Sequence, residues 1–216
     1  MTAQYAELKQ QHRDVRDSYP ENLNLRVHRA LSWLHRAELC DDVDGKFVFL
    51  WIAFNAAYNN DYVDQQVSER SQHEQFLWKL VKLDKHKVLS KLVWQQFSIA
   101  IRLLLRNRYV FQGFWDHING QISEAEWRER FSKAKQAANL ALARDNTADV
   151  LAIVLSRLYT LRNQLMHGGA TFNSKVNRQQ MQDATRLMER LVPAVIQIML
   201  ASPNEHWGEA SYQVVE

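Results

Sequence analysis

The chain has 216 residues, 46% hydrophobic, 24% charged and 11% aromatic, with a formal net charge of +3. Its six glycines and three prolines make up roughly 4% of the residues, against an average near 12%. That is too few turn formers for a sandwich, a barrel or a linker-like chain. The glycines form no GxGxxG and no GxxxxGK, which excludes the usual phosphate-cradling loops and leaves a helix-rich globular protein.

Residues 3–18 read as a polar helix. Pro20 restarts the chain, and Leu23, Val27, Ala30, Leu31 and Leu34 recur at helical spacing to about Cys40. Asp41–Gly45 reads as a turn. Phe47–Tyr58 is apolar on nearly every side, the pattern of a buried helix. Asn59–Val67 is a polar connection. Ser71-Gln72-His73-Glu74 fits a capping box that opens a helix through Phe76, Leu77 and Leu80.

Val88–Leu105 predicts one further helix, and the aromatic stretch Tyr109–Ile118 a short helix or irregular chain. Ser123-Glu124-Ala125-Glu126 is a second capping box, with a helix to about Ala143. Asp145-Asn146-Thr147 caps a helix over Ala148–His167, and Gly168-Gly169 stops it. Asn173 or Ser174 starts the last long helix, which ends before Pro203. The sum is about eight helices and no sheet: an all-α single-domain bundle over residues 1–203, with a tail, 204–216, that docks or frays.

The single cysteine, Cys40, allows no internal disulfide and fits a reducing compartment. The polar start MTAQYAELKQ has no signal-peptide character. The apolar runs near Phe47–Ala57 and Val192–Ala201 are far shorter than the roughly 20 residues of a membrane span. The expectation is a cytoplasmic protein with no membrane contact. A charge of +3 is compatible with an acidic partner without specifying nucleic acid.

The segment Leu158–Gly169 carries the chemistry. On a helix, Leu151, Val154, Leu158, Leu161 and Leu165 form a core stripe, and Tyr159, Asn163 and His167 follow at four-residue steps beside it. Arg162 lies at the border. Five residues, or roughly 140° on an ideal helix, separate Arg162 from His167. The two meet at one substrate only if the last turn loosens at Gly168 or a second copy of the helix packs alongside. Asn163, one turn before His167, can hold its imidazole in one tautomer. A histidine of ordinary pKa near 6.5 suits proton transfer, and an arginine fork suits phosphate oxygens. The purely structural alternative is that Asn163 and His167 cap carbonyls and Arg162 snorkels.

RNQLMH followed by GG resembles the signature of the HEPN superfamily, Arg-Asn-x-x-x-His near the end of a long helix. LRVHRALSWLHRAE and KFVFLWIAFNAAY resemble its Apea-like branch, so the resemblance spans most of the chain. It implies a bundle that homodimerises with the motif helices facing each other, and in active members a metal-independent RNA endonuclease site in that cleft. By this resemblance Arg162 would stabilise phosphorane charge and Asn163 would orient the site. His167 would transfer a proton as the ribose 2′-hydroxyl attacks the adjacent phosphate, leaving a 2′,3′-cyclic phosphate. No metal or other cofactor is expected. Other members only bind RNA or nucleotides, or act as interaction modules. A toxin role with an antitoxin or other partner protein is a further implication. Gly169, however, stands where the nucleotidyltransferase-regulated toxins carry a tyrosine, which argues against that regulation.

Three other features invite function. Lys79, Lys82, Lys85, Lys87 and Lys91 form a basic run that can steer RNA, or a solvated helix face with snorkelling stems. Arg102 and Arg106 share a face and, with Arg108 and Tyr109, form an arginine–aromatic patch able to stack bases; ion pairing at the core edge with Asp116 or a Glu elsewhere is the alternative. His28 and His35 share a face but lack the companions of a metal site.

Overall fold

The computed structural model describes residues 4–58 and 69–210, the side chains of 69–72 excepted. Among these the chain is all-helical, with ten α-helices and no strand. Helix α1 (Gln4–Val15) leads through a short 3₁₀ turn to α2 (Glu21–Glu38). Next come α3 (Val43–Tyr58), α4 (Glu69–Leu83), α5 (Val88–Lys91) and α6 (Ser98–Arg106). The chain ends with α7 (Gln112–Ile118), α8 (Glu124–Ala143), α9 (Thr147–Met166) and α10 (Arg178–Leu200).

The apolar helix α3 is the centre of one wall. It packs against α2 and α10, and α1 lies across both of those. Phe47, Leu50, Ala53 and Phe54 of α3 meet Val27, Leu31 and Leu34 of α2 and Met188, Leu191 and Val195 of α10 in the core. A second group places α9 against α4, α6 and α8. The two groups share one core, and Trp51 of α3 meets Tyr159 of α9 with ring centroids 6.1 Å apart.

Two deeply placed charges lock the wall. Arg26 is 1% exposed; its guanidinium donates to the Ala57 carbonyl at 3.1 Å and to that of Glu209. Asp44 accepts both terminal nitrogens of Arg178, at 2.7 and 3.1 Å. The described part of the tail docks: Trp207 is buried, its ring edge-on to Phe76 and under the Lys79 ammonium. Residues 211–216 lie outside the described ones, as does the connection 59–67.

The capping predictions hold at two starts. Ser123 Oγ accepts the Glu126 N–H at 3.2 Å to open α8, and Asn146 Oδ1 accepts the Asp149 N–H at 3.2 Å to open α9. Elsewhere the sequence reading is corrected. Helix α3 begins at Val43, inside the expected turn, because Asp42 caps it through the Gly45 N–H at 2.6 Å. Helix α4 begins at Glu69, before the expected cap at Ser71. The single helix expected over Val88–Leu105 is broken. A π-helical turn over Leu92–Gln96, closed by Phe97 N–H to the Leu92 carbonyl at 3.0 Å, bends the axis by 72°. Helix α10 starts at Arg178, not at Asn173 or Ser174. Asn173 and Asn177 both take left-handed φ, and Asp44 holds the Asn173 N–H at 2.8 Å, so the chain there is fixed as a loop.

No single helix among the described residues is long and apolar enough to cross a membrane. The bent segment from Val88 to Arg106 reaches that apolarity only across its 72° break.

Candidate functional site

Helix α9 buries Leu151, Val154, Leu155, Leu158 and Leu161 on the expected stripe. That stripe fixes the rotation of the helix and so decides which motif residues reach solvent. The helix ends as the double glycine predicts. Gly168 sits at φ +70°, its N–H donates to the Leu165 carbonyl at 3.2 Å, and Ala170 N–H donates to that of Gln164 at 3.0 Å. His167 is the last residue before this reversal and is exposed.

Arg162 and Asn163 are half-buried and touch each other: Nη1 of Arg162 donates to Oδ1 of Asn163 at 2.9 Å. The guanidinium carbon lies 5.9 Å from the Tyr159 ring centroid. Tyr159 in turn packs on Trp51, so the arginine is held from beneath by an aromatic side chain anchored in the core. The side-chain carbonyl oxygen of Asn163 is taken by Arg162, and no hydrogen bond from Asn163 to the His167 ring is found among the described residues. Since α9 stays helical to Met166, Arg162 and His167 keep their angular separation within one chain.

Two groups that the sequence reading passed over position this end of the helix. Gln164 donates its side-chain amide to the Tyr109 carbonyl at 2.8 Å, and the Trp115 indole donates to the same oxygen at 2.8 Å. Asp44 and Arg178 tie the loop after the motif to the start of α3, and Arg178 Nε also donates to the Ser174 carbonyl at 3.0 Å. No local sequence signal marks either link, because each joins residues more than fifty positions apart. Arg157 was also passed over: it is buried, its guanidinium carbon 4.5 Å from the Phe111 ring centroid.

Around the motif end, Met166, Phe172 and Val176 are exposed apolar side chains, the last two 70% and 77% accessible. A groove of about 980 Å³ runs between α1, α5 and α10 and is lined by Glu7, Asp14, Gln96 and Arg190; no motif residue borders it. Of the other sequence candidates, Lys79 pairs with Glu205 at 3.5 Å, whereas Arg102 and Arg106 are exposed with no carboxylate partner among the described residues. Asp116, proposed as their partner, accepts Gln112 instead, at 2.9 Å. His28 accepts from Lys9 at 3.3 Å, and His35 stacks on Tyr5 with centroids 4.1 Å apart, so both serve the packing of α1 on α2.

The chain matches no protein-family model, no curated protein and no solved structure.

Proposed function

We propose that this chain is a HEPN-like RNA endonuclease that works without a metal ion in a cleft between two copies. The observation that carries the reading is the end of α9. There a half-buried Arg162, braced by Asn163 and Tyr159, and a solvent-facing His167 stand within five residues of a glycine-terminated helix. A second copy supplies the juxtaposition that one helix withholds, since two motif ends in one cleft bring Arg162 of each chain toward His167 of the other. The exposed Met166, Phe172 and Val176 beside the motif supply apolar surface for such a contact.

In this reading the ribose 2′-oxygen attacks the adjacent phosphorus and the bond from phosphorus to the 5′-oxygen breaks. One His167 accepts the 2′ proton and the other protonates the departing 5′-oxygen. Arg162 stabilises the charge on the non-bridging oxygens. The products are a 2′,3′-cyclic phosphate and a 5′-hydroxyl. A defence or toxin setting follows from the resemblance alone.

A second reading, a non-catalytic RNA- or nucleotide-binding or interaction module of the same fold, draws on one observation. Asn163 accepts from Arg162, and no side-chain hydrogen bond orients the His167 ring among the described residues. The deciding experiment is RNA cleavage in EDTA by the full chain and by His167→Ala, with end-group analysis and a mass measurement in solution. The nuclease reading expects cyclic-phosphate ends from a dimer and at least a hundredfold loss in the variant at unchanged stability. Saturable RNA binding without cleavage, equal in both proteins, supports the second reading and sinks the first.

A further inference from the structure

The charges of this chain are divided along its length. Residues 85–182 hold fifteen Lys and Arg against six Asp and Glu, while the rest of the chain holds twelve against eighteen. Within that basic segment three stretches, 85–115, 130–144 and 150–182, contain no acidic residue at all. The fold brings them together: α6 packs on both α8 and α9, and α9 packs on the 3₁₀ turn Arg108–Val110 that follows α6.

Helix α8 shows the division within a single element. In its first half each cation has its own carboxylate one turn earlier: Arg128 with Glu124 at 2.6 Å, Arg130 with Glu126 at 2.8 Å and Lys133 with Glu129 at 2.6 Å. From Lys135 onward the helix offers none. There a cleft opens between α8 and α6, floored by Leu105, Ala138 and Leu142 and edged by Arg102, Arg106, Lys135 and Asn139. All four edge residues are donors, no carboxylate lines the cleft, and the three cations have no ion pair among the described residues. Like charges gathered this way repel one another unless an anion lies between them.

An aromatic residue follows the cleft along the chain. Three residues past Arg106, the Tyr109 ring is 40% exposed yet fixed on several sides. Arg108 lies over it at 4.9 Å and donates to its hydroxyl at 2.8 Å. Asn107 caps its N–H at 2.9 Å, and its carbonyl takes both Trp115 and Gln164. Gln164 stands three residues before His167 on α9, so Tyr109 adjoins the motif end.

We propose that the α6–α8 cleft and Tyr109 form a track for single-stranded RNA, with phosphates between Arg102, Arg106 and Lys135 and a base stacked on Tyr109, delivering the strand to the end of α9. The track rests on the reading above for the identity of the polymer. Charge matches it to a phosphate backbone, and an exposed, pre-positioned ring matches an unpaired base.

The test is anisotropy of a fluorescein-labelled 12-nucleotide single-stranded RNA with the full chain in EDTA over a salt series, alongside a cleavage assay on the same proteins. Arg102→Ala with Arg106→Ala is expected to weaken binding at least tenfold and to flatten the salt dependence by about one to two units of slope. Tyr109→Ala is expected to weaken binding about tenfold and Tyr109→Phe less than twofold. Arg128→Ala, whose cation is already paired, should change affinity less than twofold. Binding that follows this pattern without any cleavage keeps the track and fails the nuclease reading. Cleavage with binding unmoved by the Arg102, Arg106 and Tyr109 variants keeps the nuclease and overturns the track. Equal losses from Arg128→Ala and from the cleft variants, tighter binding of duplex than of single strand, or no binding by the unaltered chain also overturn it.

Discussion

The wall of α2, α3 and α10 and the exposed face between α6 and the second half of α8, with the end of α9, treat charge in opposite ways. In the wall, the charged groups that go inside are met by partners. Arg26 reaches two carbonyls, Asp44 meets Arg178 and the Asn173 N–H, and Lys46 pairs with Glu189 at 3.3 Å. On the face, Arg102, Arg106 and Lys135 stand in solvent with no carboxylate facing them among the described residues, and His167 projects from a helix end. Burying a charge is tolerated only when it is paired, so wall charges are committed to holding the fold. Exposed and unpaired charges add little stability, so those of the face are free to meet a ligand. The contrast separates residues committed to holding the fold from residues left available to a ligand.

The largest break in that contrast is at Asp44. Asp44→Ala leaves Arg178, largely out of solvent, without its carboxylate, and removal of one member of such a pair costs about 3 kcal/mol. A urea-unfolding midpoint should fall accordingly. Because Asp44 also holds the loop that follows the motif, RNA cleavage should fall as well, through looser positioning rather than lost chemistry. Arg102→Ala should leave the midpoint where it was. A midpoint unmoved by Asp44→Ala would mean that the wall is not secured by this pair.

Acid tests the packing against that wall more gently, through His73 of α4, which faces Tyr58 of α3, and His12 of α1. Burial pushes the His73 imidazole, which lies 4.0 Å from the Tyr58 ring, down to about 4. His12 is also held below its ordinary value, first by burial, while its bond to Asn24 pulls the other way. The unfolded chain takes up these protons near 6.5. Between about 6.5 and 4 the unfolded state therefore binds more protons, so stability is complete above that window and drains away as the pH falls through it. For His73 alone the loss by pH 5 is about 2 kcal/mol. Unfolding midpoints at pH 7.5 and pH 5 should differ, and His73→Phe, which keeps a ring against Tyr58, should reduce the difference.

How much of this was readable in advance follows the range of each interaction. The all-helical class, the buried α3, the caps at Ser123 and Asn146 and the stop at Gly168 rest on residues a few positions apart, and the sequence showed them. The bend after Gln96 was hidden because no proline or glycine marks it; it comes from a π turn that Leu92 and Phe97 close within the packed fold. The late start of α10 was hidden for a similar reason, since Asp44, 134 positions from Arg178, decides it. At the motif, the placement of Arg162 and His167 on different sides of one helix was legible from spacing, since α9 runs unbroken to Met166. The bond from Arg162 to Asn163 was not legible, because spacing alone cannot tell an adjacent arginine from a histidine one turn on. The Gln164–Tyr109 link was out of reach altogether, as it joins two elements whose packing only the fold reveals.

The smallest expected effect gives the sharpest contrast. Gly120 and Gly168 each follow a helix end, at φ +73° and +70°, and a Cβ added at either meets nothing within 4 Å. Gly120→Ala and Gly168→Ala should therefore cost the same, about 1 kcal/mol each, because the whole penalty is the left-handed backbone. Their effects on function should part. Gly120 closes α7 on a solvent turn, and its alanine variant should cleave RNA as the unaltered chain does once the stability loss is allowed for. Gly168 sets the angle at which α9 stops immediately after His167, and a displacement of about an ångström at a reacting group can cost a hundredfold in rate. Matched thermal melts with cleavage reduced at least tenfold only in Gly168→Ala would place the active group at the end of α9. Equal cleavage by the two variants at equal stability would remove His167 from the chemistry and leave Gly168 a helix stop like any other.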